Sequence, residues 1–457
     1  MTARRSPPRP KGRWLTGHIG PMRADTLGFM TRSAREMGDV VLFRFGPMRA
    51  LLLAHPELVE DVLVTHRHTF VKNRATRLIG RVTGNGLVVS EGDFWRRQRR
   101  LIQPAFHHGR IAGYADTMVG FTDRMLGSWR DGEVRDVHEE MMHLTLEIVS
   151  KTLFDADVSR HDEAEVGAAV KVAVECLNEV LNSLLFFVPE RFPTPTNVRL
   201  WRAVRRLDDV LYRIIREHRA AGVDRGDLLS TLLRAGDEDD GSHMTDRQVR
   251  DEAMTLFLAG HETTSIALSW AWYLLSQHPE VEARVHAELD SVLSGRVPTA
   301  ADVPSLPFVG MVMTEALRLY PPALALGREA VADCELGGYR VRKGTNVILS
   351  QWVVHRDPRW FEEPEAFRPE RWEGDLARRI PRFAYFPFGG GQRHCIGSSF
   401  ATMEATLLLA TIAQRFRLRL VPGHPVEPQA ALTLRPKHGM RMVLEAREPA
   451  VLHPAHA

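Results

Sequence analysis

The sequence predicts a mainly α-helical fold with a small β-rich lobe, and three stretches carry this prediction. Residues 245–277 open on a capping-box pattern, keep a helical period throughout and end before His278-Pro279. At 1.5 Å per residue such a helix would span roughly 48 Å. A second helical period follows Cys395, with Ile396, Phe400, Met403, Leu407 and Ala410 on one face. Residues 40–54 place two β-forming runs around Gly46-Pro47, which predicts a hairpin.

Composition indicates one domain. The chain has 457 residues with a hydrophobic fraction of 44%, and no Ser/Gly linker, internal repeat or low-complexity tract divides it. We therefore expect a single domain over residues 1–457, led by a basic, proline-rich segment at residues 1–24. Lysine plus arginine exceeds aspartate plus glutamate by 60 − 57 = 3, so the charge gives no reason to expect a nucleic-acid partner.

The cysteines and the hydropathy pattern predict a soluble, cytoplasmic protein. Cys176, Cys334 and Cys395 are odd in number and far apart, which disfavours a disulfide framework and favours a reducing compartment. Cys176 and Cys334 lack glycine-rich flanks and spaced partners, so we interpret both as spectator thiols. The first 20 residues contain no apolar signal region, and no stretch reaches the roughly 20 apolar residues that span a bilayer.

Two further segments carry structural expectations. Residues 70–93 contain Gly80, Gly84, Gly86 and Gly92, which predicts an irregular loop suited to cover a ligand. Residues 181–188 are strongly apolar, which predicts a core position, with a substrate entrance as the alternative.

A glycine-rich loop precedes Cys395. Gly389, Gly390 and Gly391 before the cysteine, and Gly397 after it, allow sharp turns and the close approach of a bulky flat ligand. A helix N-terminus beside the thiol favours the thiolate, which is the form that ligates metals. Arg393 could pair with a carboxylate of that ligand. The alternative is an ordinary loop with a buried structural cysteine.

The middle of the long helix has the sequence Ala259-Gly-His-Glu-Thr-Thr264. Gly260 costs about 1 kcal/mol against alanine in a helix, so it indicates either close ligand approach or tight helix packing. His261-Glu262 begins a zinc-protease pattern, but position 265 is serine, so the zinc interpretation fails. An acid beside a hydroxyl, Glu262 with Thr263, can relay protons. Alternatively, the Thr263 hydroxyl bonds to a carbonyl one turn earlier.

Two pairs share helix faces. Trp95 and Arg99 are four residues apart, and a solvated basic face with one inward tryptophan is the plainer interpretation. Glu315 and Arg318 are three apart, a spacing that usually gives a surface pair worth a few tenths of a kcal/mol. Met311 and Leu319 on the same face make burial plausible, and a buried pair needs a further partner.

The series Phe388-x-x-Gly391-x-Arg393-x-Cys395-x-Gly397 resembles the haem-binding signature of the cytochrome P450 family, with every fixed position filled. The Trp95/Arg99 pair, the Glu262-Thr263 pair, and Glu315/Arg318 with Arg371 in Phe367-Arg-Pro-Glu-Arg-Trp372 resemble family elements in the family's order. The resemblance extends from about residue 40 to about residue 445.

The resemblance implies a triangular helical prism with haem b held between the long central helix and the cysteine-ligand helix. It implies Cys395 as the metal ligand, Glu262 and Thr263 as catalytic residues, and a structural triad of Glu315, Arg318 and Arg371. The implied cofactor-binding residues are Trp95, Arg99, Ala259, Gly260, Arg328, Phe388, Gly389, Gly391, Arg393 and Gly397. For Arg328, a salt bridge to Glu329 or a solvent position is the alternative.

The function that the resemblance implies is haem-thiolate monooxygenation of a C–H bond, by hydroxylation or epoxidation. Electrons would come from NAD(P)H through a reductase and a ferredoxin or flavodoxin, and the enzyme would be a monomer without a fused reductase. A peroxide-dependent or rearranging enzyme and a non-catalytic haem sensor are the alternatives. The expected substrate is a terpenoid, fatty acid, steroid or macrolide-like molecule, in an apolar pocket of Leu256, Ala259, Ala323, Leu324, Ala325 and Leu434. An acidic redox partner would dock on arginines that flank the motifs: Arg96, Arg97, Arg100, Arg378, Arg379 and Arg382.

Overall fold

The computed structural model describes residues 6–154, 160–236, 241–374 and 376–447. The α-helices of these residues are α1 (Ile19–Ala24), α2 (Thr26–Met37), α3 (Pro56–Glu60), α4 (Arg74–Arg77), α5 (Gly80–Thr83), α6 (Gly92–Ile102), α7 (His108–Ala112), α8 (Ala115–Leu126), α9 (Val137–Phe154), α10 (Arg160–Leu181), α11 (Pro195–Ala221), α12 (Leu228–Arg234), α13 (Asp246–Gln277), α14 (Pro279–Leu293), α15 (Pro307–Leu319), α16 (Gln351–Val354), α17 (Leu376–Arg379) and α18 (Ser398–Arg415). The strands are β1 (Val40–Phe45), β2 (Met48–Leu53), β3 (Phe70–Lys72), β4 (Val134–Asp136), β5 (Leu326–Ala330), β6 (Cys334–Leu336), β7 (Tyr339–Val341), β8 (Asn346–Leu349), β9 (Phe416–Leu420), β10 (Pro428–Ala430), β11 (Leu434–Pro436) and β12 (Arg441–Ala446). The prediction of a mainly helical chain with a smaller β-containing part is confirmed.

The first of two compact units, here called the sheet unit, comprises Met1–Arg81, Leu317–Cys395 and Ala430–Leu434. Its five-stranded sheet has the order β1-β2-β8-β5-β3. The predicted hairpin forms β1 and β2, which pair antiparallel, and β8 lies parallel to β2. Parallel neighbours far apart in sequence require a long connection, so the sheet joins segments nearly 300 residues apart.

Both faces of this sheet are covered. Leu51 and Leu53 pack with Val347 in one apolar cluster, whereas Leu52 and Phe43 belong to a second cluster. Because successive side chains of a strand point to opposite faces, the unbroken run Leu51–Leu53 serves both clusters. The sheet is therefore a rigid base for the segments that leave it, including the chain after β5 and β8.

The second unit, here called the helical unit, comprises Val82–Ala316, Ile396–Gln429 and Arg435–Ala457. Helix α13 is its centre, and α9, α11, α14 and α18 pack against it. The side chain of Thr245 accepts from Gln248 N and the Gln248 side chain accepts from Thr245 N, so the predicted capping box is present. Most residues of α13 are buried, as expected of a helix at the centre of a bundle, and Trp270 and Trp272 are among them.

Two sequence expectations need correction. Residues 70–93 are irregular only in part, because β3, α4 and α5 lie within them, and the irregular stretch is residues 84–91. The core position expected for residues 181–188 is wrong, because residues 181–183 and 185–188 are all half-buried or exposed, with Phe187 39% exposed. Among the described helices, none is both long and apolar enough to cross a membrane.

Candidate functional site

The cysteine loop is a tight turn in the sheet unit. The amide of Gly389 donates to the Phe386 carbonyl, that of His394 to the Gly391 carbonyl, and that of Cys395 to the Phe388 carbonyl at 3.0 Å. Gly391 has a φ of +64°, and a Cβ there would collide with the carbonyl oxygen of Leu63. Only glycine fits both demands. The turn leaves Cys395 exposed, so the alternative of a buried structural cysteine is not met.

Two buried side chains, those of Arg318 and His355, position the start of this loop. Arg318 is fully buried and donates to the carbonyls of His355 at 2.8 Å, Pro364 at 2.6 Å and Ala366 at 3.0 Å. The ring of His355, also fully buried, accepts at Nε2 from the Phe386 amide at 2.9 Å. Arg318 therefore fixes the backbone of His355, and the His355 ring fixes the start of the cysteine loop. Sequence reasoning missed His355, since an isolated histidine gives no signal.

Arg371 and Arg318 share one carbonyl acceptor. The Arg371 guanidinium donates to the carbonyls of Glu362 at 2.8 Å and Glu363 at 3.3 Å, and to that of Ala366 at 3.4 Å. Glu315, one turn before Arg318 on α15, is fully buried as well. The expectation that Glu315 and Arg318 are buried rather than on the surface is therefore met.

Arg328 and the segment before it lie at β5. Arg328 is 6% exposed, which rules out the solvent alternative, and its neighbour Glu329 pairs with Arg77 at 2.7 Å. Leu434 is buried, and its amide donates to the Pro322 carbonyl at 2.9 Å. That bond ties residue 434 to the start of the segment 323–325. Leu324 packs against the apolar cluster of Leu52 and Phe43, and this contact is an alternative to a position in a substrate pocket.

Helix α13 is less buried at its middle than elsewhere. Ala259 is exposed, and Gly260 and Thr263 are half-buried, whereas most other residues of the helix are buried. The Thr263 hydroxyl donates to the Ala259 carbonyl at 2.7 Å, as in the alternative interpretation of this residue. A Cβ on Gly260 would lie 3.0 Å from Val149 Cγ2, so packing against α9 accounts for this glycine. Glu262 is buried.

Two more titratable groups of the helical unit are buried beside this segment. Burial lowers the pKa of His261 to about 4, with smaller effects from His138 and His143. Burial raises the pKa of Glu404, on α18, to about 8, an effect that the neighbouring Thr264 hydroxyl offsets in part. Both groups are therefore uncharged at neutral pH. Sequence reasoning singled out neither, because their burial follows from the packing of α13 against α9 and α18.

Trp95 and Arg99 lie one turn apart on helix α6. Trp95 is 7% exposed and Arg99 is half-buried one turn later. Arg97 donates to the Ser242 hydroxyl at 2.7 Å, which removes it from the predicted basic patch. Arg96 is exposed and pairs with Asp93. The remaining arginines of that patch are all exposed: Arg100, Arg378, Arg379 and Arg382.

The irregular stretch 84–91 is fastened to α13 by carboxylates. Asp251 accepts from the Asn85 amide and Glu252 from the Leu87 amide, both at 2.9 Å. A Cβ on Gly86 would collide with the Thr255 hydroxyl, so the loop lies directly on the helix. Burial raises the pKa of Glu252 to about 8. Sequence reasoning found the loop but not these two acids.

Cys176 and Cys334 behave as expected of spectator thiols. Burial raises the pKa of each thiol, whereas a reactive cysteine needs a lowered pKa. Neither cysteine is in a disulfide.

Comparison with known proteins agrees with these motifs. The family model described as Cytochrome P450 matches residues 7–442. Cyclooctatin synthase of Streptomyces melanosporofaciens is 41% identical over 96% of this chain and 95% of its own. Cyclooctat-9-en-7-ol 5-monooxygenase of the same organism is 41% identical over 93% of this chain and 94% of its own, and pentalenene oxygenase of Streptomyces avermitilis is 37% identical over 95% and 96%. The solved haem domain of cytochrome P450DA has a TM-score of 0.88 at 28% identity, covering 97% of this chain and 98% of that one.

The residues present fit a haem group. In the sheet unit, the cysteine loop exposes one cysteine, and the half-buried glycines Gly389 and Gly391 precede it with positive φ. In the helical unit, α13 has small residues, Ala259 and Gly260, at the less buried middle of an otherwise buried helix. A cysteine ligand and small residues that allow close approach of a flat ring fit a haem with a cysteine ligand. The chain belongs to the cytochrome P450 family and is a haem-containing monooxygenase.

Proposed function

We propose that this enzyme hydroxylates a terpenoid at an unactivated C–H bond, using one atom of dioxygen. The observation that carries this proposal is the near full-length similarity to three relatives whose names describe cyclooctatin, cyclooctat-9-en-7-ol and pentalenene chemistry. All three relatives are terpenoid-modifying enzymes. We propose further that residues 1–457 act as one catalytic domain and as a monomer, and the matched span of residues 7–442 supports the first point.

In this proposal Cys395 would ligate the haem iron as thiolate. Its support is the exposed cysteine on a loop that buried Arg318 and His355 hold in place. Trp95, Arg99, Arg328 and Arg393 would hold the propionates, since guanidinium and indole N–H groups are suited to carboxylates. The haem faces would rest on residues of small or flat profile: Ala259, Gly260, Phe388, Gly389, Gly391 and Gly397. A thiolate-bound haem supplies the electron donation that favours O–O cleavage.

The residues of the chain would then manage protons and water. The Thr263 hydroxyl donates to the Ala259 carbonyl at 2.7 Å, so its proton is oriented and its oxygen lone pairs can accept a bond from a water or a substrate-side group. Glu262, buried one residue earlier, can take up a proton and pass it on when its side chain turns. Glu315, Arg318 and Arg371 have no chemical role in this scheme, and they brace the loop.

The substrate would meet an apolar surface. Leu256 and Leu434 are buried, and Ala323 and Ala325 are half-buried small residues shortly after Pro322. By the family resemblance, Ala259 and Leu324 would join them in lining the pocket, and no carboxylate or lysine is among these residues. An apolar ligand is favoured in such a lining, because each buried CH₂ contributes about 0.8 kcal/mol.

We propose that a ferredoxin or flavodoxin, reduced from NAD(P)H through a reductase, supplies electrons to this cytochrome P450. The exposed arginines Arg100, Arg378, Arg379 and Arg382 support an acidic partner surface. The rate of reduction should fall as salt is added and fall further in charge-reversal variants. A rate that stays flat in both series would refute this docking surface. A reducing, cytoplasmic location remains a prediction from the dispersed cysteines.

A spectral titration tests the substrate proposal. Polycyclic terpenoid hydrocarbons and alcohols should shift the Soret band of the resting enzyme, and NAD(P)H consumption with a surrogate donor should depend on them. A panel in which only small charged ligands shift the band would refute it. Thr263→Ala should divert electrons to hydrogen peroxide, and normal coupling in this variant would argue against the proton-relay role.

A further inference from the structure

An exposed aromatic tip stands at the start of the sheet unit. Trp14 is 82% exposed and Leu15 is 65% exposed, the highest values among the exposed large apolar residues of the described chain. They are adjacent in sequence and occupy a turn closed by a bridge between Arg13 and Gly17. Leaving an indole and an isobutyl group side by side in water costs hydrophobic free energy, so the pair needs an explanation.

The turn is fixed rather than loose. Arg13 and Gly17 exchange two backbone hydrogen bonds of 3.0 and 2.8 Å, and the Gly46 amide donates to the Thr16 carbonyl at 3.2 Å. Gly17 has a φ of +63°, and a Cβ there would collide with a carbonyl of β1. These bonds attach the turn to the β1–β2 hairpin.

His18 adds three more bonds at the base of the turn. Its amide donates to the Arg44 carbonyl at 2.7 Å, and its ring Nδ1 accepts from the Arg44 amide at 2.9 Å. Nδ1 is thus the acceptor, so Nε2 carries the proton and donates to the Pro10 carbonyl at 3.0 Å. A buried histidine, 3% exposed, therefore locks the segment that presents the two apolar side chains.

The charged residues in the sequence around the tip are all cations. The first 24 residues contain six cations and no aspartate or glutamate: Arg4, Arg5, Arg9, Lys11, Arg13 and Arg23. Lys11 and Arg13 flank the tip and are exposed, and Arg49 is exposed at the neighbouring hairpin. Within the described residues, Lys11 and Arg13 form no salt bridge.

We infer that the Trp14–Leu15 tip with its flanking cations is a docking surface for an anionic lipid bilayer. Tryptophan prefers the boundary between headgroups and acyl chains, where its ring is partly buried and its N–H stays hydrated. Basic residues beside it are attracted by the negative surface potential of anionic lipids. An acidic protein would match the cations, but two protruding apolar side chains on a fixed turn match a soft apolar layer better. The enzyme would rest on the bilayer without crossing it.

The test is sedimentation of the full-length holoenzyme with vesicles. Binding to phosphatidylcholine vesicles that contain phosphatidylglycerol should exceed binding to pure phosphatidylcholine vesicles and should fall with added salt. Trp14→Ser with Leu15→Ser should lower the partition coefficient on the order of tenfold. Lys11→Gln with Arg13→Gln should lower it on the order of 25-fold, from about fivefold per cation.

Matched controls are available elsewhere on the surface. Val223→Ser removes another exposed apolar side chain, 60% exposed, and Lys343→Gln removes another exposed cation of the sheet unit. Both should leave vesicle binding unchanged. Haem content and the unfolding midpoint should match wild type in all variants, because the substituted side chains are exposed.

Three outcomes would overturn the inference. Wild type could fail to bind anionic vesicles, or the Lys11/Arg13 variant could bind them as wild type does. The Trp14/Leu15 variant could also bind as wild type does, which would leave a purely electrostatic site without an apolar anchor. None of these readouts uses turnover, so they are independent of the terpenoid assignment.

Discussion

Replacing His355 by leucine should loosen the cysteine loop while leaving intact the bonds of Arg318, which together with the His355 ring form the brace of this loop. The His355 ring accepts from the Phe386 amide at 2.9 Å, in a region where both residues are buried. Arg318 binds the backbone carbonyl of residue 355, which leucine keeps. The variant therefore removes the imidazole, with its acceptor nitrogen and its ring contacts, and keeps the bond from Arg318.

One hydrogen bond and two ring-packing interactions set the size of the effect. An orphaned buried N–H costs about 1–3 kcal/mol. The ring also packs against Tyr385 and Phe386 with centroids 5.2 Å apart in both cases, worth about 0.5–1.5 kcal/mol each. Leucine regains part of the apolar burial, so we expect the free energy of unfolding to fall by about 2–5 kcal/mol.

The destabilisation should depend on pH. Burial first, then the charges of Arg318 and Arg356, lower the pKa of His355 well below its usual range. The unfolded chain binds a proton below about pH 6.5 and the folded ring does not, so acid destabilises wild type through this residue. Leucine removes that effect. The gap between wild type and variant should therefore be widest above pH 7 and shrink by up to about 1.4 kcal/mol per pH unit below 6.5.

Guanidinium unfolding and hydrogen exchange of the Phe386 amide measure these effects. His286→Leu is the matched control, since His286 is buried with a pKa lowered to about 4, mainly by burial, and its ring forms no hydrogen bond with the described residues. It should show the same pH trend with normal Phe386 exchange. If the Phe386 amide of His355→Leu exchanged at the wild-type rate, or if both variants were equally destabilised at pH 8, the brace would be refuted.

Three further substitutions test the helical unit. Glu404→Gln should stabilise the protein by up to about 3 kcal/mol at pH 7 and by less than about 1 kcal/mol at pH 5, because the folded carboxyl, with a pKa of about 8, keeps a proton that the unfolded chain releases above about pH 4.5. Equal effects at both pH values in urea unfolding would contradict this prediction. Gly86→Ala should displace residues 84–91 from α13 at a cost of about 1–3 kcal/mol and weaken ligand-induced spectral shifts. Gly120→Ala, with open space at its Cβ on α8, should be neutral or stabilising. Similar spectral titrations for both variants would contradict the attachment of residues 84–91 to α13. Asp227→Asn keeps the cap of α12 but removes the charge beside His218, whose pKa is raised by its hydrogen bond to Asp227. The destabilisation, on the order of 3 kcal/mol, should therefore appear at pH 6 and diminish as the pH rises through the pKa of His218. A pH-independent destabilisation would contradict the charged pair.

Local signals explain why much of the fold could be predicted. The start of α13 follows from a capping box and its end from His278-Pro279, and both act within one helical turn. The β1–β2 hairpin depends on a two-residue turn between β-forming runs. The burial of Arg318 followed from the apolar residues that share its helix face.

The missed residues act through long-range contacts. His355 meets an amide 31 residues away, and Glu252 meets one 165 residues away, so neither partner can be inferred from neighbouring positions. The apolar run at 181–188 was expected in the core because hydropathy alone does not tell a core segment from a surface one. Gly260 left two interpretations open, and only the fold shows that Val149 lies beside it.

The absorption spectrum of the dithionite-reduced protein with carbon monoxide tests the central claim most directly, for wild type and Cys395→His. We expect a strongly red-shifted Soret band in wild type, as a thiolate ligand gives, and loss of that band in the variant. Thr402→Ser, a conservative change on α18, should keep the wild-type band. A protein without haem, or an imidazole-type spectrum that Cys395→His leaves unchanged, would contradict the assignment of Cys395 as the iron ligand.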